Sequence, residues 1–303
     1  MKIIRSIELH PGSREEKLPD FMPDFPYIAS RAELDRYQQP FVPWHWHRAV
    51  ELFYMESGTL RYRTPNAEKL FPVGSGGMVN SNVLHMTETV SRSQENVQLL
   101  HIFDPELIAG AAGSAIDRSY VAPLTGDPGL ELIALSPEEP AHRAVLAQIR
   151  QAFLLQESRP GYELRLRSAL SEIWLSLFQL SPPGANCGGA GQNADKAKRM
   201  MTYLQAHYGE KITMADLAAA AYLSERECYR VFQTCLHTTP VRYLNGYRLQ
   251  MACRMLADGQ ATMTEIAQAC GLGSSSYFGR LFRQYTGQTP LEYRRKWQDR
   301  AKK

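Results

Sequence analysis

The sequence predicts an α+β multidomain chain: a β-rich N-terminal unit with helices after it, then an all-α C-terminal unit containing two helix-turn-helix units. Three observations carry this. A duplicated stretch runs from Ile212 to Arg295, strand-like alternation is confined to the residues before about Phe103, and an uncharged Gly/Pro-rich run, Ser181 to Asn193, lies between the two patterns.

In chain order, residues 1 to about 40 are rich in proline and alternate charge with aromatics, which predicts an irregular arm and the first strands. The next stretch, VPWHWHRAVELFYMESGTLRYRT, alternates around Leu52 to Met55 and Leu60 to Tyr62 with Ser57-Gly58 between, predicting two strands joined by a tight turn. A further strand covers Val97 to Phe103; its His101 stands among apolar neighbours and reads as structural.

From about Pro137 the period becomes helical. Val145, Leu146, Ile149, Phe153 and Leu154 form one stripe, and Leu166, Leu170, Ile173, Trp174, Leu177 and Phe178 another. These helices suit packing on their own β unit or against a second copy of the chain. The run SPPGANCGGAGQN reads as a linker, and a helix with Ala197, Met200, Met201 and Leu204 follows, turning Lys196, Lys198 and Arg199 to solvent. The domain boundaries are therefore drawn at 1–136, 137–180 (helical, a candidate dimerisation segment), 181–193 (linker) and 194–303.

The two copies of the repeat align throughout. Thr213, Leu217 and Ala218 precede Thr262, Ile266 and Ala267 by 49 residues, whereas Arg230, Phe232 and Pro240 precede Arg280, Phe282 and Pro290 by 50. One residue is inserted in the second turn. There, Ile266 and Ala269 give an apolar face, Gly271 suits a positive φ, Ser274 to Ser276 offer N-cap chemistry, and Phe278, Leu281, Phe282 and Tyr285 form a buried stripe. The first copy has Tyr222 where the second has Gly271 and His237 where it has Gly287. A left-handed Tyr222 costs on the order of 1 kcal/mol, so its turn is expected to be strained or differently shaped. Between the copies, Val241, Leu244, Tyr247, Leu249, Met251 and Met255 keep helical spacing, with Pro240 and Pro290 at helix starts.

Composition excludes a disordered chain and leaves room for two or three domains: 303 residues, 44% hydrophobic and 21% charged. No apolar run reaches the ~20 residues of a membrane span and the start lacks an apolar signal core, so a cytoplasmic protein is expected. The five cysteines, Cys187, Cys228, Cys235, Cys253 and Cys270, form no CxxC pair and suit reduced, buried thiols. The net charge of +3 hides an asymmetry: from Ala194 onward 17 Lys and Arg face 9 Asp and Glu, and before it 17 face 22. Affinity for nucleic acid is thus concentrated at the C-terminus.

The segment TEIAQACGLGSSSYFGRLFRQYTGQTPLEYR resembles the signature of AraC/XylS-type transcription regulators, a likeness covering about the last 110 residues. The N-terminal spacing HxHx3Ex6G and Gx5NxNx2H, carried by His45, His47, Glu51, Gly58, Gly74, Asn80, Asn82 and His85, resembles the two cupin motifs, with Asn80 and Asn82 replacing the family's Pro and Gly. The resemblance implies a cupin-like β-barrel over 1–136. In cupin enzymes the positions matched by His45, His47, Glu51 and His85 bind a divalent metal, and the i, i+2 imidazoles lie on one side of a strand. In a regulator the same residues, with Trp44, instead line a small-molecule pocket or close the barrel mouth; no cofactor is then required.

Read as a regulator, the chain is expected to bind DNA through the second helix of each helix-turn-helix. The outer faces offer Glu225, Arg226, Tyr229 and Arg230 in the first copy, and Ser274, Ser275, Ser276, Gly279 and Arg280 in the second. Arg suits bidentate contact with guanine, so the first helix is expected to be the stronger direct reader; Arg230 and Arg280 suit an internal ion pair equally well. The ~27 Å of the connecting helix is near the ~34 Å between successive major-groove faces, so one chain is expected to read two adjacent segments. The expected function is a sequence-specific regulator, with activation as the expected mode, controlled by a small effector such as a sugar or related metabolite, with no catalytic residues. Its expected partners are double-stranded DNA, the effector, a second copy of the chain and RNA polymerase. The alternatives are a metal-dependent cupin enzyme with a DNA-binding tail, and an architectural DNA protein.

Overall fold

The computed structural model describes all residues except 1, 5–6, 10–14, 19–20, 22–23, 38–40, 92–94, 128, 182–189, 237 and 302–303. Cys187, His237 and most of the expected linker fall outside the described residues. The chain divides into two compact units between Ala194 and Asp195.

The first unit holds the strands β1 (Lys2–Ile4), β2 (Glu8–Leu9), β3 (Glu16–Lys17), β4 (Tyr27–Glu33), β5 (Phe41–His45), β6 (Val50–Ser57), β7 (Thr59–Arg63), β8 (Glu68–Pro72), β9 (Gly76–Val79), β10 (His85–Thr89), β11 (Val97–Phe103) and β12 (Leu132–Leu135). They form a six-stranded sheet in the order β1-β4-β11-β6-β9-β12, a four-stranded sheet β5-β10-β7-β8 and the small pair β2-β3. The inner faces of the two larger sheets share one core: Ile28, Phe53, Met55, Leu100 and Ile102 from one, Val42, Leu60, Tyr62 and Phe71 from the other.

The six-stranded sheet is apolar on its outer face as well, because successive side chains of a strand alternate. Val50 and Leu52 of β6 and Phe103 of β11 point away from the barrel into a second core. There they meet helices α1 (Glu106–Ala109), α2 (Ala122–Thr125), α3 (Pro140–Ala152) and α4 (Tyr162–Leu180). The two predicted helical stripes thus pack on their own sheet. Leu154 is the exception: α3 ends at Ala152, and Leu154 is 75% exposed.

The tight turn at Gly58 joins β6 to β7, but these strands lie in different sheets and form no hairpin. Gly58 has φ +76, and a Cβ there would meet Asn96 Oδ1 at 2.3 Å. The chain turns a barrel corner here, which needs glycine both for its sign of φ and for its lack of a side chain.

His101 is fully buried in the outer core; its Nδ1 accepts from the Tyr27 hydroxyl (2.6 Å) and its Nε2–H donates to the Ile149 carbonyl (3.0 Å). Burial lowers its pKa to about 4. The folded state therefore holds it neutral while the unfolded chain protonates near 6.5, so its contribution is complete above about pH 6.5 and is lost as pH falls toward 4. Urea unfolding across this window should show wild type losing on the order of 3 kcal/mol more than His101→Asn. A parallel decline in the two proteins would assign the acid sensitivity elsewhere.

Helix α5 (Ala190–Ala206) begins inside the expected 181–193 linker, whose last four residues are therefore helical, and it leads into the second unit, which contains α6 (Met214–Ala221), α7 (Glu225–Leu236), α8 (Pro240–Asp258), α9 (Met263–Ala269), α10 (Ser275–Thr286) and α11 (Pro290–Ala301). Both copies open on the same reciprocal cap: Thr213 with Asp216 before α6, Thr262 with Glu265 before α9. Ala197, Met200, Met201 and Leu204 of α5 are buried, as are Cys228, Cys235, Cys253 and Cys270. Two expected core positions differ. Ala269 is exposed, its place beside Ile266 taken by Ala267 and Cys270, and Val241 is 53% exposed in the first turn of α8. Among the described residues, no helix is long and apolar enough to cross a membrane.

Candidate effector site and DNA-reading helices

In the four-stranded sheet, β5 and β10 run antiparallel with His45 opposite His85. Their ring centroids lie 4.1 Å apart, and His47, just past the end of β5, comes within 5.3 Å of the His85 ring. Glu51, on the inward face of β6, completes a buried cluster in which one ligand atom from each of His45, His47, Glu51 and His85 falls within 4.8 Å of the others. The sequence motif therefore converges in space.

The protonation pattern follows from the backbone. His45 Nδ1 faces the Pro43 carbonyl at 2.8 Å, His47 Nδ1 the Ala49 carbonyl at 2.8 Å, and His85 Nδ1 the Val83 carbonyl at 2.9 Å. A carbonyl only accepts, so each Nδ1 carries a proton and each Nε2 is turned inward. Nε2 of His47 and of His85 is buried without a hydrogen-bond partner, and each lies 3.7 Å from Glu51 Oε2, beyond hydrogen-bond range.

Burial by itself would raise the Glu51 carboxyl, but His47 and His85, once they carry a second proton at Nε2, outweigh it and hold the group well below the usual carboxylate range. Burial, with His85 and His47 beside it, drives His45 well below its ordinary value. Behind the carboxylate, the Tyr62 hydroxyl donates to Glu51 Oε1 at 2.8 Å, and Gln98 Nε2 donates to that hydroxyl. The donor set fits a divalent cation: inward Nε2 atoms with their Nδ1 protons committed to carbonyls, and an ionised carboxylate fixed by its own partner.

A cavity of about 30 Å³ adjoins the cluster, lined by His45, Glu51 and His85 together with Tyr37, Tyr62 and Gln98. That is room for an ion or about two waters; a sugar would require it to open. Trp44, expected in the pocket wall, is buried but does not line this cavity. A register shift between β5 and β10 puts four residues, Val42 to His45, opposite three, His85 to Thr87, and so turns Val42 and His45 to the same side. Sequence reasoning missed Glu16. It is buried at 9% exposure, and its Oε2 is 3.8 Å from both His45 Nε2 and His47 Nε2. Burial raises its pKa to about 7 against the opposing pull of His47.

In the helical unit, Glu225, Arg226, Tyr229 and Arg230 are all exposed on α7, and Ser274, Ser275, Ser276 and Arg280 on α10 or its cap, with Gly279 half-buried. Ser274 is the N-cap of α10, accepting from the Tyr277 amide. Arg230 is committed to Glu227, donating through Nε (2.8 Å) and through its terminal nitrogen (2.6 Å), and Lys196 joins the same carboxylate at 3.3 Å. Arg280 instead lies over the Tyr277 ring at 5.5 Å. Tyr222 adopts φ 57, the left-handed conformation of Gly271 (φ 63), so the first turn is strained rather than reshaped.

An AraC-like ligand-binding domain profile matches residues 27–174, and a helix-turn-helix domain profile matches 217–296. Over 278 residues the chain is 27% identical to the uncharacterised HTH-type transcriptional regulator YdeC of Bacillus subtilis, spanning 90% of this chain and 92% of that one. It is 30% identical over 154 residues to the transcriptional activator RhaS of Salmonella paratyphi B, a match covering 50% of this chain and 55% of the relative. Among solved structures, ToxT of Vibrio cholerae aligns over 89% of this chain and 97% of its own, with a TM-score of 0.45 and 13% identity. With a ligand-binding domain of this type ahead of its paired helix-turn-helix units, the chain belongs to the AraC family of DNA-binding transcription regulators.

Proposed function

We propose that the effector site of this regulator is a divalent-cation site made by His45, His47, Glu51 and His85, and that ion occupancy controls how its helix-turn-helix units engage DNA. The observation that carries this reading is the pair of buried, unpartnered Nε2 atoms of His47 and His85 facing an ionised Glu51. Imidazole with carboxylate suits Zn²⁺, Fe²⁺, Ni²⁺ or Mn²⁺, and the bound ion would supply positive charge to a set of inward acceptors that otherwise face one another. Elemental analysis of the purified full chain, followed by titration of the chelator-stripped protein with these ions, tests it. A stripped protein that takes up none of them removes the proposal.

Residues 1–136 and 137–180 then form the sensing part, 181–193 the linker and 194–303 the reader, acting in the cytoplasm on double-stranded DNA and, as an activator, on RNA polymerase. Leu164 and Leu175, 75% and 42% exposed on α4, suit a seam with a second copy, and light scattering of the full chain should give the molar mass of a homodimer. In the reader, α7 and α10 enter adjacent major-groove segments. Because Arg230 is held by Glu227, Arg226 is the stronger candidate for a guanine contact. Arg226→Ala should cost about 1–3 kcal/mol at one base position of the site and leave the others unchanged. A uniform loss across all positions would assign Arg226 to the phosphates instead.

A further inference from the structure

We infer that Glu16 is a fifth protein donor to this cation site. The inference rests on the cation reading above and adds to it a ligand from outside the cupin-like motif.

The placement of Glu16 follows from backbone pairing. Glu15 bridges Trp46 in parallel, and the Glu16 amide donates to the Trp46 carbonyl at 2.8 Å. Trp46 stands between His45 and His47, so β3 is hung on the residue that separates the two imidazoles, and the side chain of Glu16 falls against both. Its Oε2 lies 3.8 Å from His45 Nε2 and from His47 Nε2, and Glu51 Oε2 lies 3.7 Å from His47 Nε2 and from His85 Nε2. The two carboxylates thus share the three imidazoles, meeting at His47.

Each of these four separations is too long for a hydrogen bond. With every Nδ1 proton already given to a carbonyl, two carboxylates and three inward nitrogens face a common space in which a positive charge is the missing component. Two carboxylates also match the charge of a divalent ion, whereas Glu51 alone would leave one positive charge buried. The resulting three-nitrogen, two-carboxylate set favours an ion that accepts five or six ligands over one confined to four.

β3 is only two residues long and pairs with an equally short β2. Ile7 and Leu18 beside this pair already pack against the barrel core, and a bond from Glu16 to the ion would add to that attachment.

The test uses Co²⁺ as the probe on the full-length, chelator-stripped protein, comparing wild type with Glu16→Gln. Visible Co²⁺ absorption strengthens as coordination number falls. The expected result is at least tenfold weaker Co²⁺ binding by E16Q, with more intense bands, while thermal unfolding without metal matches wild type. In wild type alone, added Co²⁺ should slow amide exchange at Glu8, Leu9, Glu16 and Lys17. Equal affinity and spectrum in E16Q would overturn the role of Glu16 and leave the four-residue site standing, as would unchanged exchange in wild type. Failure of wild type to bind Co²⁺ at all would overturn both.

Discussion

Replacing His85 by Ala is expected to weaken divalent-cation binding by at least a hundredfold. His85 is 1% exposed, sits opposite His45 across β5 and β10, and presents an Nε2 that no protein group satisfies. Loss of an outer-sphere partner alone typically costs 10–100-fold in metal affinity, and a direct donor contributes more. The same substitution should abolish the stabilisation that the ion gives to wild type, about 2.7 kcal/mol when the ion is present at a hundred times its dissociation constant. His101→Asn is the matched control: it removes an equally buried imidazole that belongs to the outer core, and ion affinity should stay within twofold. Calorimetric titration of the three proteins decides. Retention of tight binding by H85A would dissolve the site as described.

The second large effect is expected at the barrel corner. Gly58→Ala combines a left-handed backbone, on the order of 1 kcal/mol for any residue with a Cβ, with a contact the neighbour cannot yield. The new methyl would lie 2.3 Å from Asn96 Oδ1 and 2.7 Å from the Glu95 carbonyl oxygen. Asn96 is fully buried and committed: Oδ1 accepts from the Thr59 amide at 3.1 Å, and Nδ2 donates to Asp35 at 2.9 Å and to the Ser91 carbonyl at 2.8 Å. Moving it breaks buried hydrogen bonds that each contribute about 1 kcal/mol. The total is about 3 kcal/mol, or a melting temperature lower by roughly 6–12 °C for a unit of this size. A double-mutant cycle with Asn96→Ala should show strong non-additivity; additive losses would place the cost in the backbone alone.

What the sequence made legible was whatever is local. The repeat exposed both helix-turn-helix units because their caps, turns and stripes fall within some thirty residues and recur. The cluster motif was legible for a similar reason: His45, His47 and Glu51 are near neighbours, and His85 follows in the second motif. Glu16 was not, since a two-residue strand has no periodicity to read and its pairing with Trp46 is a tertiary fact. Trp44 was expected in the pocket with its neighbour His45, but successive residues of a strand face opposite ways, and the extra residue in β5 brings Val42 and His45 to the cavity and leaves Trp44 outside its lining. The sheet change at Gly58 was hidden likewise, because a turn between two strands does not disclose whether they pair. Leu154 and Ala269 are boundary errors, both at helix C-termini where the periodic stripe stops applying.

The six-stranded sheet, buried on both faces, gives the site an uneven foundation. β6 and β11 are central strands, paired on both sides and packed above and below, so their amides should be among the last in the chain to exchange with solvent. Glu51 stands on that slow-exchanging wall. Glu16 stands on a two-residue strand whose partner strand is equally short, which should open more readily. The site therefore joins the most persistent part of the barrel to one of its least persistent, and an ion held between them would draw its selectivity from the first and its speed of exchange from the second.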